Sequence, residues 1–329
     1  MNGKITFIPV ASGKGGVGKS IFSANLSIAL AKLGFKTVAV DLDLGGSNLH
    51  TYLGMANKYS GIGDYLKSKE CNFEELLIDT RVENLRFLPG DGRTPFMANI
   101  PFDQRLQLIH KLQNIDAKYV ILDLGAGSSF NTLNFFGLAH RGIIVTTFET
   151  PSIMNFFMFL RNFIFRVISS VVRHDKRIFN FIVDDFRQTM ADDPLTAQMI
   201  IKKIEDRNPQ LAAKVKKVCK YFRPRIIFNM GEHPQDLKLI NKINNTIKQS
   251  LSMEAEYFGF VFYDDNVRLS CRQKQVLMLN YPDSIATMCI KDIARRTSKY
   301  WEKNIDKSAI RLIEDTKKKY TLWFGTNFD

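Results

Sequence analysis

Gly13-Lys14-Gly15-Gly16-Val17-Gly18-Lys19-Ser20 follows the continuous apolar run Ile5–Val10 and opens a helical stretch, Lys19 to Leu33, that Gly34 stops. A GxxxxGK motif ending in Ser or Thr, set between a strand and a helix, has the form of a phosphate-binding loop. Its glycines let the backbone wrap closely around an anion with the N–H groups turned inward. The helix N-terminus behind it adds partial positive charge. In that reading Gly13 to Gly18 form the cradle, and Lys19, at a solvated loop–helix junction, reaches the β- and γ-phosphates. The Ser20 hydroxyl is then a ligand of Mg²⁺. The plain alternative is a Gly-rich turn with no ligand, and the acids further along the chain weigh against it.

Asp41 and Asp43 end the second apolar run, in Val40-Asp41-Leu42-Asp43-Leu44-Gly45-Gly46-Ser47-Asn48-Leu49. In a parallel sheet the carboxyl ends of the strands face the ligand crevice, so both acids belong on the edge that carries the loop. There they could orient water or metal. Asp123 closes a third apolar run, Tyr119–Leu122, and suits direct or second-sphere contact with Mg²⁺. The Gly125-Ala126-Gly127 that follows allows backbone movement when a γ-phosphate is lost.

The first 150 residues alternate short apolar runs with amphipathic stretches, the rhythm of βαβ units. Thr37–Val40, Leu85–Leu88, Tyr119–Leu122 and Ile143–Thr146 are candidate strands, with a helix at Asp103–Leu112 among the connections. Strand character returns at Arg225–Phe228 and Phe258–Phe262, and a helix is expected after His233-Pro234. The expected fold is a three-layer α/β P-loop fold with a mostly parallel central sheet. Between the two halves, Arg173–Arg223 reads as helical and basic, with start signals at Asp193-Pro194 and Asn208-Pro209. We take residues 1–300 as one domain with a helical insertion at about 173–223, and residues 301–329 as a C-terminal tail.

Composition narrows the class. Four scattered cysteines without CxxC spacing speak against a disulfide framework or a zinc site and for a reducing cytoplasm. The N-terminus runs straight into a strand with no pattern of an export signal. Ile153–Val172 is long and apolar but carries Arg161 and Arg166. Each would cost about 2.5–3.5 kcal/mol at a membrane centre, so a buried helix is expected. The net charge of +13 is concentrated: residues 161–223 hold 14 Lys and Arg against 7 acids. Such segments are either solvated faces or contacts for an anionic partner.

With Lys14 ahead of it, the loop reads KGGVGKS, and here the chain resembles the MinD/ParA family of deviant Walker A ATPases, in its MinD and FlhG/FleN branches. The likeness runs through Asp41, Asp43 and Asp123. It resumes at Phe258–Val261, Asp264–Arg268, Arg272-Gln273 and Tyr281–Ser284. It implies ATP and Mg²⁺ as ligands and an ATP-dependent homodimer in which Lys14 crosses to the partner's phosphates. It implies further that Asp43 positions the attacking water, that Asp41 supports the switch and that Asn229 contacts adenine. A protein activator of hydrolysis belongs to the same picture, as does a cytoplasmic protein that binds peripherally to the inner face of the membrane. Residues 173–223 are longer than MinD needs, and the lack of CxxC departs from the iron–sulfur carriers of the superfamily.

The tail Ser308–Phe324 sets Ile310, Leu312, Ile313, Leu322, Trp323 and Phe324 beside Arg311 and Lys317–Lys319. Two roles stay open for it: an amphipathic helix on an anionic membrane, or a terminal helix docked on its own domain. For the basic surface as a whole, a membrane is the favoured partner, non-specific DNA binding the second, and a dedicated protein client a third.

Overall fold

A computed structural model describes residues 5–67, 72–90, 100–188 and 196–325. Its centre is an eight-stranded sheet: β1 (Thr6–Ala11), β2 (Thr37–Leu42), β3 (Ile78–Asp79), β4 (Leu85–Leu88), β5 (Tyr119–Leu124), β6 (Ile143–Thr146), β7 (Arg225–Gly231) and β8 (Glu256–Phe262). The order is β3-β4-β2-β5-β1-β6-β7-β8. Every pair is parallel except β3 with β4. The expected α/β class with a mostly parallel sheet therefore holds. The added strand, β3, is two residues long and leaves no periodic trace in the sequence.

From β1 the chain winds to one side as far as the edge strand β3, returning through β4 and β5, and from β6 to the other as far as β8. The winding reverses at β1, so the crevice opens at its carboxyl end, where the glycine loop begins. Helices cover both faces of the sheet, as right-handed crossovers require. The helix Lys19–Lys32 is small and apolar on every side because it lies between the sheet and the helix Ile285–Tyr300; Phe22, Leu26 and Leu30 are almost wholly buried. On the opposite face Phe136 packs edge-to-face on Phe159 and Phe163, at 5.1 and 5.0 Å between ring centres.

The long helix is Thr150–Val172. By length and composition it could cross a membrane, and 50% of its most apolar window is buried. Several of its polar residues contact protein groups, although Arg161 Nε is buried without a hydrogen-bond partner among the described residues. Arg161 lies 5.3 Å from the Phe165 ring, Asn162 donates to Ser128 Oγ at 2.6 Å, and Arg166 sits 4.2 Å from the Phe130 ring. The basic stretch beyond it folds as the helices Lys176–Gln188, Ala197–Glu205 and Pro209–Tyr221, which stack on the long helix. Asn208 caps the last of these, accepting from Leu211 N at 3.0 Å. The other start signal differs: Thr196 caps the middle helix, while Asp193-Pro194 lies outside the described residues.

After His233-Pro234 comes a 3₁₀ turn, Pro234–Leu239, which leads into the helix Ile240–Leu251. The tail is a helix over Ser308–Phe324, and it is docked. Leu312 is buried, Lys319 Nζ reaches Asp292 Oδ2 at 2.7 Å, and the ring of Trp323 packs 5.8 Å from that of Phe262.

Candidate nucleotide-binding site

The loop needs its glycines for two different reasons. Gly16 and Gly18 have φ of 85° and 81°, in the left-handed region that costs other residues about 1–2 kcal/mol. Gly13 instead makes room: a Cβ there would stand 2.2 Å from the carbonyl oxygen of Asn155 in the long helix. Val17 turns into the core while Gly15 and Gly16 face solvent. Ser12 ties the loop at its base. Its hydroxyl donates to Lys14 O and its carbonyl accepts from Gly127 N, both at 2.9 Å. The loop is thus strapped to the glycine segment after Asp123.

Lys19 departs from the expectation of a solvated junction. Only 6% of it is exposed, and Nζ lies 3.0 Å from Asp123 Oδ1 and 3.2 Å from Ser20 Oγ. The cause is strand register. β1 pairs with β5 as far as Asp123, which brings that acid beneath the first turn of the helix. Ser23 donates to the same carboxylate oxygen at 2.7 Å, while Asp123 Oδ2 is buried without a partner among the described residues. Expected separately from sequence, Lys19, Ser20 and Asp123 converge in one place.

Asp41 and Asp43 part company. Asp41 is fully buried inside β2, directly opposite Asp123 in the ladder. Its carboxylate accepts from Ser47 Oγ at 2.5 Å and from the Leu49 and Asp43 amides at 3.1 Å each. It braces the loop Leu44–Asn48. Burial, and then the charge of Asp123, push its pKa up to about 7. Asp43 remains half-exposed at the crevice, and a Cβ on Gly125 would lie 3.3 Å from its Oδ1. One acid therefore holds the loop, and the other faces the segment that follows Asp123.

Lys14 is half-buried, and its charge is felt at the start of the long helix. The Glu149 carboxyl is held below its ordinary range chiefly by a hydrogen bond from Thr147, with Lys14 contributing. Asn229 donates to Val17 O at 2.8 Å and so pins the phosphate loop. It also lines a cavity of about 330 Å³ with Phe22, Met230, Val261, Phe262 and Arg268. The β7–β8 register shifts between Phe228 and Gly231, and Met230 takes φ 58°, a strained value for a residue with a side chain. That irregularity aims Asn229 at the loop.

Sequence reasoning passed over Ser23, Ser47 and the cavity wall. Ser23 stands four residues after Lys19, on the same helical face, so its spacing was a usable signal. Ser47 lies inside the stretch around Asp41 and had no assigned partner. Nothing local marks Met230 or Phe262.

The residues present fit a nucleotide with a divalent cation. No cluster of three or more His, Cys, Asp or Glu able to hold a metal occurs among the described residues. One carboxylate with a free buried oxygen and one hydroxyl beside a phosphate cradle is a donor set for Mg²⁺, which keeps several waters and shares phosphate oxygens. The cavity beyond Asn229 has room for a base.

Fold and site together define a phosphate-loop nucleotide-binding protein of the doubly wound α/β class. More narrowly, the chain belongs to the family of the CobQ/CobB/MinD/ParA nucleotide binding domain, whose model matches residues 8–276. It is 34% identical over 147 residues to a putative septum site-determining protein MinD of Tupiella akineta, covering 44% of this chain and 48% of that protein. It thus spans about half the length of the MinD relatives it matches. To the antiactivator FleN of Pseudomonas aeruginosa it is 22% identical over 299 residues, 90% of this chain and 87% of that one. The fold is that of the MinD cell division protein of Aquifex aeolicus, with a TM-score of 0.55 at 20% identity over 89% of this chain and 97% of that one. It is also that of the Pyrococcus horikoshii MinD complexed with Mg-ADP, at 0.54 and 18% over 90% and 96%.

Proposed function

We propose that this chain binds and hydrolyses MgATP and works as a dimeric switch of MinD/ParA type, in spatial regulation at a membrane surface. The observation that carries the reading is the meeting of Lys19, Ser20 and Asp123 under the open glycine loop. Gly13, Lys14, Gly15, Gly16, Val17 and Gly18 hold the phosphates through their backbone. Lys19 leaves Asp123 to pair with β- and γ-phosphate oxygens, and Ser20 and Asp123 are then free to hold Mg²⁺, which neutralises phosphate charge when bound. Asp43 orients water from the crevice edge, and Asp41 keeps its loop in place. Asn229 sets the base against the cavity, and Lys14 leaves the neighbourhood of Glu149 to reach the phosphates of a second copy.

The solved MinC:MinD complex of Aquifex aeolicus, similar in fold, supports a protein partner for the dimer. A protein that stimulates hydrolysis would complete the switch. For an anionic surface the insertion is the better placed contact. Lys202, Lys214, Lys217 and Lys220 are exposed on two adjacent helices, whereas the tail has turned its aromatic end onto β8. The protein then resides in the cytoplasm and visits the inner face of the membrane. DNA is the second surface to test. Calorimetry with MgATP, phosphate release and light scattering test the reading together. A folded protein that binds no MgATP, or that hydrolyses it without ever dimerising, would overturn it.

A further inference from the structure

The basic insertion encloses a second cavity, of about 510 Å³, against the end of the helix Ile240–Leu251 and the lead into β8. It lies where β8 begins, whereas the glycine loop lies where β1 ends. Its volume is that of an ordinary small-molecule site. The floor is apolar: Ile201 and Met253 line it and are 3% and 2% exposed. Met253 follows Ser252, whose left-handed φ of 53° ends the helix and leaves its own side chain on the cavity wall. The rim is lysine. Lys202 comes from the helix Ala197–Glu205, Lys216 and Lys220 from Pro209–Tyr221, and Lys248 from Ile240–Leu251.

The charges of this rim do not cancel. Glu205 is taken by Lys216 Nζ at 2.7 Å, and Glu254 by Arg223 Nη2 at 2.7 Å. Lys202, Lys220 and Lys248 have no ion pair among the described residues. Part of their charge has a plain use, since each sits in the last turn of its helix and faces the partial negative charge of that helix end. That partial charge is about half a unit, so three helix ends offset about half of three lysines. About one and a half positive charges are left above an apolar floor. A phosphate monoester carries about −1.5 to −2 near pH 7 and offers three acceptor oxygens, which suits three ammonium groups in both charge and number.

We propose that this cavity is a second ligand site, which takes a phosphate monoester carried on an apolar or planar body. Lys202, Lys220 and Lys248 hold the phosphate, and Ile201 and Met253 receive the body. The site does not rest on the nucleotide reading, since it needs neither ATP nor a second copy. It gives the basic insertion a shaped contact beside its diffuse one, because Lys214 and Lys217 are exposed on the same helix but outside the cavity. The same chemistry arrives either as a soluble phosphorylated metabolite or as the monoester headgroup of phosphatidic acid.

Phenyl phosphate is the probe, titrated into the full chain by calorimetry. It should bind saturably, and inorganic phosphate about tenfold more weakly, since that ion leaves Ile201 and Met253 uncovered. Lys202→Gln with Lys248→Gln should weaken phenyl phosphate by about tenfold or more, the loss of two charge-assisted hydrogen bonds. Lys214→Gln with Lys217→Gln removes equal charge outside the cavity and should change affinity by less than about twofold, because exposed charges at a distance are screened. Phosphatidylcholine vesicles carrying phosphatidic acid or phosphatidylglycerol, matched in surface charge, separate the sources. A preference for phosphatidic acid that the cavity variant loses makes the ligand a headgroup; equal binding to both, with phenyl phosphate seated in the cavity, makes it a soluble metabolite. No saturable binding of phenyl phosphate to the folded chain, or equal weakening in the two double variants, would overturn the proposal. MgATP affinity should be the same in both variants, so a failure to bind MgATP bears on the phosphate loop alone.

Discussion

Lys19 Nζ and Asp123 Oδ1 stand 3.0 Å apart with side-chain exposures of only 6% and 1%, so the lysine that ends the glycine loop is stored on an acid inside the protein. A buried pair of this kind is a poor source of net stability, yet removing one partner strands the other charge. Ser23 and Ser20 complete the cluster, and Asp41 lies opposite Asp123 across the ladder. The arrangement keeps an ammonium beneath the loop on Asp123, whose charge, after burial, pushes the Asp41 carboxyl toward its protonated form.

The first prediction follows from that storage. Lys19→Ala should abolish MgATP binding and also destabilise the free protein by about 3 kcal/mol, because Asp123 is left buried and unpaired. Adding Asp123→Asn should recover most of the stability and none of the binding. Thermal melts and calorimetry on the single and double variants read both effects. Recovery of binding in the double variant would show that Lys19 acts only by neutralising Asp123.

The second concerns pH. The Asp41 pKa is raised to about 7 in the folded chain by burial and by Asp123, while an unfolded Asp titrates near 3.8. Between those values the folded state holds a proton that the unfolded state has lost. Stability from this group therefore falls as pH rises from about 4 to about 7, then levels off. Asp41→Asn should flatten that part of the curve in denaturant titrations without ligand. An unchanged pH slope in the variant would mean that Asp41 is ionised in the folded protein across the range.

The features legible in the sequence were those written locally. Gly13–Ser20 carried its own strand, turn and helix signals, and seven of the eight strands showed as short apolar runs. Strand register was not legible. It places Asp123 under Lys19 and buries Asp41 while Asp43 stays at the crevice, although i, i+2 spacing made the two look alike. The cavity wall was hidden for a related reason. Met230 and Phe262 are ordinary apolar residues until an irregular register between β7 and β8 turns one strand toward the loop. The tail's role was open because its apolar spacing is uneven; the aromatic residues that suited a membrane also suit Phe262.

The third prediction separates Asp41, inside β2, from Asp43 just beyond its end. Asp43→Ala should leave MgATP affinity within about twofold and cut turnover by at least about 10²-fold, the lower range for loss of a positioned proton-transfer or water-orienting group. The variant should then accumulate as the ATP-bound dimer in light scattering. Wild-type turnover in Asp43→Ala would move the water-orienting role to another group of the crevice.

The fourth tests how Asn229 holds the loop. A Cβ on Gly18 would lie 2.4 Å from Asn229 Nδ2, at a φ of +81° that an alanine resists. Gly18→Ala should therefore break the hydrogen bond to Val17 O and impair nucleotide binding more than Asn229→Ala does. Asn229→Ala loses the same bond without the clash, at about 1 kcal/mol, or roughly fivefold in affinity if the loss falls wholly on the binding-competent loop. Equal losses in the two variants, read by calorimetry, would mean that the bond to Val17 matters and the backbone strain at Gly18 does not.

The last prediction decides which surface the basic face meets. On the helix Pro209–Tyr221, Ala212, Val215 and Cys219 are buried, so Lys214, Lys217, Lys220 and the 59%-exposed Tyr221 point outward together. Lys202 adds a charge from the neighbouring helix. Near an anionic leaflet each such lysine contributes about 1 kcal/mol, so four give about 4 kcal/mol per chain. One chain would bind marginally, and two chains joined as a dimer would bind together through effective concentration. In the tail Lys319 is already taken by Asp292, and its aromatic end by Phe262. Sedimentation with phosphatidylglycerol vesicles at saturating ATP should therefore show binding that falls with salt and is lost when the four lysines are changed to Glu. The same variant should keep its MgATP affinity, since none of the four lies near the loop. Vesicle binding that survived the charge reversal would return the membrane contact to the exposed Ile310 and Leu322 of the tail, and ATP-dependent binding to duplex DNA alone would make nucleic acid the surface.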